Sequence, residues 1–95
     1  MYARITNYKM KPESITAATE LVERLRPQIM AMPGVLRFIN CMDETGAGYV
    51  VSIVESKETS DSNTEAVQAM WGQFADYLEE PPVPQGFGVI SDWTT

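Results

Sequence analysis

Tyr49-Val50-Val51-Ser52-Ile53-Val54 is a six-residue run with a single small polar side chain in its middle, and it decides what kind of sheet this chain builds. A strand with one wet face alternates apolar and polar residues. A near-continuous apolar run is what a strand carries when both of its faces are covered. Immediately before it, Glu44-Thr45-Gly46-Ala47-Gly48 reads as a hairpin turn, joined to a second strand over residues 35–43. Further upstream, Ile15, Ala18, Val22, Leu25, Ile29 and Met32 recur at spacings of three and four, with Leu21 widening the stripe. This predicts a core-facing helix that starts at a Ser14 N-cap and ends at Pro33-Gly34. Pro27 falls inside that pattern, where it removes one hydrogen bond, so a kink or early loosening is expected there. Residues 2–10 form the first strand, rich in Tyr, Ile and Thr.

Downstream, residues 57–63 are polar and read as a loop ending at Ser62, three residues before Glu65 in the spacing of a capping box. A second helix follows, with an aromatic stripe of Val67, Met70, Trp71, Phe74, Tyr77 and Leu78. Residues 79–86 contain three prolines and form a stiff connection, and residues 87–93 close the sheet. The order is βαββαβ, an α+β domain with a four-stranded antiparallel sheet and two helices on one face. Two helices cannot cover both faces. The uncovered face needs a partner, and a second copy of the same chain is the simplest one.

Composition sets the outer bounds. Ninety-five residues make a single domain, 1–95, whose burial a second subunit would usefully extend. No apolar run approaches the length needed to span a bilayer, and the first residues lack the basic-then-apolar pattern of a secretory signal, so a cytoplasmic protein is expected. The net charge is −6, and the seven basic residues are scattered, which argues against nucleic acid and anionic membrane as partners. The chain has no histidine. That removes histidine-based nucleophilic triads, the HExxH zinc site and the commonest haem ligand, and with a lone Cys41 and no carboxylate cluster it leads to the expectation of no metal and no cofactor. Cys41 itself reads as a small buried hydrophobe. Arg4 and Arg37 sit on strands, where they bind either an anionic substrate or the many carboxylates.

A pocket is suggested by one polar outlier. Asn7 is an amide in mid-strand, on the same side as Ala3 and Ile5. If that side faces the helices, Asn7 needs a partner, and a ligand is one candidate. Small Ala3 leaves room beside it, and Trp71, Phe74 and Tyr77 offer flat walls with two polar handles. The competing reading is that Asn7 bonds a neighbouring loop and the aromatics simply fill the core. Trp93 is expected to pack across a sheet-to-sheet interface.

The stretches Tyr2-Ala3-Arg4-Ile5-Thr6-Asn7, Met32-Pro33-Gly34-Val35 and Glu44-Thr45-Gly46-Ala47-Gly48, leading into residues 49–55, resemble the antibiotic biosynthesis monooxygenase (ABM) family of the dimeric α/β barrel superfamily. The resemblance covers most of the chain and is one of architecture and length. It implies a ferredoxin-like subunit whose sheet packs on its partner's sheet in a homodimer, with a pocket between sheet and helices. Some members oxidise phenolic polycyclic compounds with molecular oxygen and no cofactor, and others degrade haem. In both groups a first-strand asparagine and a tryptophan near the second helix belong to the active site. Asn7 and Trp71 fit those descriptions, with Ala3, Phe74 and Tyr77 as substrate-binding residues. The haem branch also uses a helical histidine, which is absent here. A cofactor-independent oxygenase for a small aromatic or polyketide-like molecule and a non-catalytic binding or scaffold dimer therefore both stand. Asn7 and Trp71 converging on an open pocket of at least ~300 Å³ favours small-molecule chemistry, whereas a filled core favours the scaffold.

Overall fold

The computed structural model describes residues 1–95. Strand β1 (Tyr2–Lys9) is followed by a 3-10 turn (Pro12–Ser14), helix α1 (Ile15–Met30), and the hairpin β2 (Val35–Met42) and β3 (Ala47–Val54). Helices α2 (Lys57–Ser62) and α3 (Thr64–Gly72), a second 3-10 turn (Ala75–Tyr77) and strand β4 (Val83–Gly88) complete the chain. The sheet order is β2-β3-β1-β4, with every pair antiparallel. This is the ferredoxin-like α+β arrangement expected from the order of elements.

The core forms where both helical stripes meet one face of the sheet. Ala18, Leu21, Leu25 and Ile29 of α1, together with Phe74 and Leu78, bury against Tyr8 and Met10 at the end of β1. Helix α1 continues three residues past Pro27, so the one lost hydrogen bond does not end it. Ser14 precedes α1 but makes no capping bond, because it already closes the 3-10 turn in a helical backbone conformation.

The second helical region departs from expectation. Residues 57–62 are helical, and Ser56 is the cap, its hydroxyl accepting from the Thr59 amide at 3.1 Å. Ser62 instead ends α2, donating to the Glu58 carbonyl at 2.8 Å. Asn63, buried between α2 and α3, donates to the Pro33 carbonyl at 2.9 Å and ties this bend to the α1–β2 turn. In that turn Gly34 has φ +74°, and a Cβ there would collide with the Thr59 methyl. Gly34→Ala should therefore cost at least about 1–2 kcal/mol from the left-handed backbone alone. A urea midpoint unchanged by this substitution would contradict that geometry.

Strand β4 begins at Val83, four residues earlier than the sequence pattern suggests, and ends at Gly88. Pro84 lies inside it, opposite Thr6. This is possible because β4 is an edge strand, and its outer side needs no donor. Trp93 lies beyond the strand and is 91% exposed, so it packs on nothing within one chain.

The hairpin turn is held by Asp43, whose Oδ1 accepts from the Thr45 amide (2.8 Å), the Thr45 hydroxyl (2.6 Å) and the Ala47 amide (3.2 Å). The Thr45 bonds hold the Asp43 carboxyl below its ordinary 3.8. A depressed carboxylate pKa adds stability above the unfolded value and loses it as pH falls through the folded one. The urea midpoints of wild type and Asp43→Asn should thus differ at neutral pH and converge in acid. A constant difference across that range would remove Asp43 as the cause.

The face of the sheet away from the helices is open. In register it carries Ala3, Ile5 and Asn7 of β1, Val51, Ile53 and Tyr49 of β3, Ile39 and Cys41 of β2, and Val83 and Phe87 of β4, with the polar Arg37 opposite Ile53 and Gln85 opposite Ile5. Only 14 of 95 residues are buried in a single chain, and this apolar face is a large part of the reason. Cys41 is exposed there, not buried as its sequence setting suggested. No helix is long and apolar enough to cross a membrane.

Candidate functional site

The helix-facing side of β1 is the even-numbered set, Arg4, Thr6, Tyr8 and Met10, all of which line a cavity against the helices. Asn7 therefore points the other way. It is exposed on the open face, opposite Tyr49 and Val83, and does not approach Trp71. The physical reason is the period of two: a shift of one residue in the assumed phase moves every side chain to the other face. Ala3 goes with Asn7, opposite Ile53 and Phe87 on the open side. Tyr77 packs against the core but is not on the cavity wall. Trp71 and Phe74 are on that wall.

The cavity has a volume of about 80 Å³, and twelve of its sixteen lining residues are hydrophobic. Sheet residues Val50 and Phe38 form one side, and Val22, Leu25 and Ile29 of α1 face Met70, Trp71 and Phe74 across it. The Trp71 ring is tilted against Tyr8 (centroids 5.7 Å) and Phe74 (5.9 Å), so all three aromatics hold one another in place. Arg4, Thr6 and Trp71 also line a larger groove of about 520 Å³, which runs between α3 and the segment Glu79-Glu80-Pro81-Pro82. The inner cavity alone falls below the size of ordinary ligand sites, whereas the outer groove is of that size. The two spaces have Arg4, Thr6 and Trp71 in common among their lining residues.

Few polar groups face this space, and their placement is specific. Tyr8 Oη donates to Asn40 Oδ1 at 2.6 Å, with the Cys41 carbonyl at 3.3 Å. Gly48, directly opposite Tyr8, leaves room for the ring to lean across the sheet; a Cβ there would lie 2.9 Å from the Tyr8 oxygen. Burial pushes the Tyr8 hydroxyl above its ordinary 10.0, the neighbouring Cys41 thiol adds to the rise, and the Asn40 bond offsets part of it. Tyr8 is thus a neutral hydrogen-bond donor at physiological pH and not a base. Asn40 is the residue that sequence reasoning passed over. It is an amide in an apolar strand, Phe38-Ile39-Asn40-Cys41-Met42, the same signal that singled out Asn7. No group of three or more Cys, Asp or Glu side chains is gathered closely enough to hold a metal ion.

Comparison with solved structures places this geometry among known folds. A candidate antibiotic biosynthesis monooxygenase of Nitrosomonas europaea matches with a TM-score of 0.81 at 21% identity, over 96% of this chain and 100% of that one. A second, of Deinococcus radiodurans, matches with a TM-score of 0.80 at 8% identity, over 100% and 98% of the two chains. A protein of unknown function, also from Nitrosomonas europaea, gives 0.83 at 14% identity, over 99% and 93%. The chain has their fold. No protein-family model and no curated protein sequence matches it. At these identities the likeness extends to architecture, and the chemistry rests on the residues that line the site.

Proposed function

We propose that this protein is a monooxygenase that needs no cofactor and acts on a small aromatic or polyketide-like molecule held between the sheet and the helices. The observation that carries this reading is the space walled by Trp71, the apolar inner cavity together with the groove of about 520 Å³ beside it, in a fold whose solved neighbours include proteins described as antibiotic biosynthesis monooxygenases. An ionised phenol or enol is electron-rich enough to reduce oxygen itself. The substrate loses two hydrogens, one from its O–H and one from the activated ring carbon; that carbon gains a double bond to one oxygen atom of O2, and the other oxygen leaves with the two hydrogens as water. The protein's part is to hold the anion dry and correctly placed. Trp71 and Phe74 position the ring. Asn40, whose Oδ1 is engaged by the Tyr8 hydroxyl, takes the hydrogen-bonding role that the sequence suggested for Asn7, donating through its amide NH2 to an oxygen of the substrate or of the oxygen-derived anion.

The working form proposed is a homodimer through the open sheet face, which leaves the cavity on the far side of each sheet free. Purified protein should consume oxygen with quinols or anthrone-type phenols, one O2 per quinone formed. The small inner cavity favours a second reading, a non-catalytic binding dimer. Ligand binding without oxygen uptake across that substrate set would replace the first reading by the second.

A further inference from the structure

Arg4 stands where the inner cavity meets the outer groove, on the wall the two spaces share. Its neighbours in register are Ser52 and Gly86, neither of which is charged. Its Nε is buried and has no hydrogen-bond partner. The ion pairs of the chain are Lys9–Glu79 and Lys57–Asp61, so no carboxylate oxygen lies within 4.0 Å of its guanidinium. This is a chain with thirteen acidic residues and seven basic ones, so the isolation of Arg4 does not come from a shortage of acids. A charged donor left unmatched in a partly dry site is costly to fold around, and its planar fork is shaped for oxyanions. A sheet docked on the open face would lie on the side of β1 opposite Arg4.

We propose that Arg4 binds the oxygen of a phenolic or enolic substrate and holds it ionised, with the ring directed into the inner cavity against Trp71. This rests on the oxygenase reading and supplies what that reading lacks, a way to form the substrate anion without a histidine. The phenol O–H bond breaks, the proton passes to water in the outer groove, and the electron pair stays on the oxygen facing the guanidinium. The other charged or titratable groups facing this space are Tyr8 on β1 and Glu79 and Glu80 on the segment after α3; α1 and α3 present apolar side chains and the neutral Gln68. Glu79 is matched by Lys9 at 3.8 Å. The two glutamates disfavour an anion in the outer groove, so a neutral phenol enters and ionises at Arg4.

The test is the ionisation of bound 4-nitrophenol, whose phenolate absorbs in the visible and which is not oxidised in the experiment. With protein in saturating excess, its apparent pKa should fall by about one unit or more relative to free ligand, a tenfold preference for the ionised form. Arg4→Gln should abolish the shift and Arg4→Lys should keep part of it. The comparison of bound with free ligand needs no variant, and Arg4→Lys preserves the charge should Arg4→Gln not fold. An unshifted pKa, a shift that survives Arg4→Gln, or no binding at any pH would overturn the proposal. Benzoate preferred over benzamide without a nitrophenol shift would also overturn it and assign Arg4 to a substrate carboxylate. Oxygen uptake without the shift sinks only the role of Arg4, and the shift without oxygen uptake sinks only the oxygenase reading.

Discussion

Replacing Phe74 by alanine should destabilise the protein by about 3–5 kcal/mol, the usual cost of truncating a buried aromatic. Phe74 is 6% exposed and stands where the chain leaves α3, in the same cluster as Tyr8, Leu25 and Leu78. It also braces Trp71, so its loss removes a wall of the cavity as well as packing. For a domain with a total stability of roughly 5–15 kcal/mol, a change of this size is visible as a large drop in urea midpoint. A shift below about 1 kcal/mol would mean that the aromatic stripe does not close the core. Trp71→Ala is a less clean experiment, because it removes packing and the proposed ring contact together.

Val51→Asp should have its effect on association instead. Val51 is in the central row of the open face, between Ile5 and Ile39 in register. If two copies meet through this face, the substitution places an unpaired carboxylate from each chain in the interface, at several kcal/mol per charge. Wild type should sediment at twice the chain mass at micromolar concentration, and the variant should need at least about a thousandfold more protein to dimerise. The isolated subunit should keep its fold, because position 51 is already partly open to solvent there. A monomeric wild type, soluble and stable at the same concentration, would contradict the sheet-to-sheet proposal. A variant that dimerises as well as wild type would place the interface elsewhere.

The architecture was legible because its signals are redundant. The apolar run in β3 marks a central strand, the helical stripe from Ile15 to Met32 points at the sheet, and the Gly-rich turn sets the hairpin. The order of strands follows from those elements with little freedom. The side of β1 that faces inward was not legible in the same way. Its odd set is Ala3, Ile5, Asn7 and Lys9 and its even set Arg4, Thr6, Tyr8 and Met10, so each face mixes polar and apolar groups. Where both faces of a strand mix polar and apolar side chains, alternation does not separate inside from outside. The larger Tyr8 and Met10 against Lys9 were the available clue.

Other departures have local causes. Residues 57–62 are polar enough to resemble a loop, but Ser56 caps them and Asn63 anchors their end, so a short helix forms without an apolar stripe of its own. The prolines near residue 84 argue against an interior strand and are silent about an edge strand, which is what β4 is. Of the site residues expected from sequence, Trp71 and Phe74 stand on the cavity wall, while Asn7 and Ala3 are on the far side of the sheet and Tyr77 lies off the wall. Asn40 and Tyr8 became recognisable as a pair only through the strand register, since 32 residues separate them in sequence.

The most direct test of where the site lies is an amide and indole NMR map of the protein titrated with an anthrone-type phenol under nitrogen, so that binding is read without turnover. Binding in the cavity predicts the largest shifts at the Trp71 indole, Tyr8, Asn40 and Val50, with little change at Asn7, Cys41 and Tyr49. Shifts concentrated at Asn7, Cys41 and Tyr49, with the Trp71 indole unmoved, would put the ligand on the open face and contradict the account.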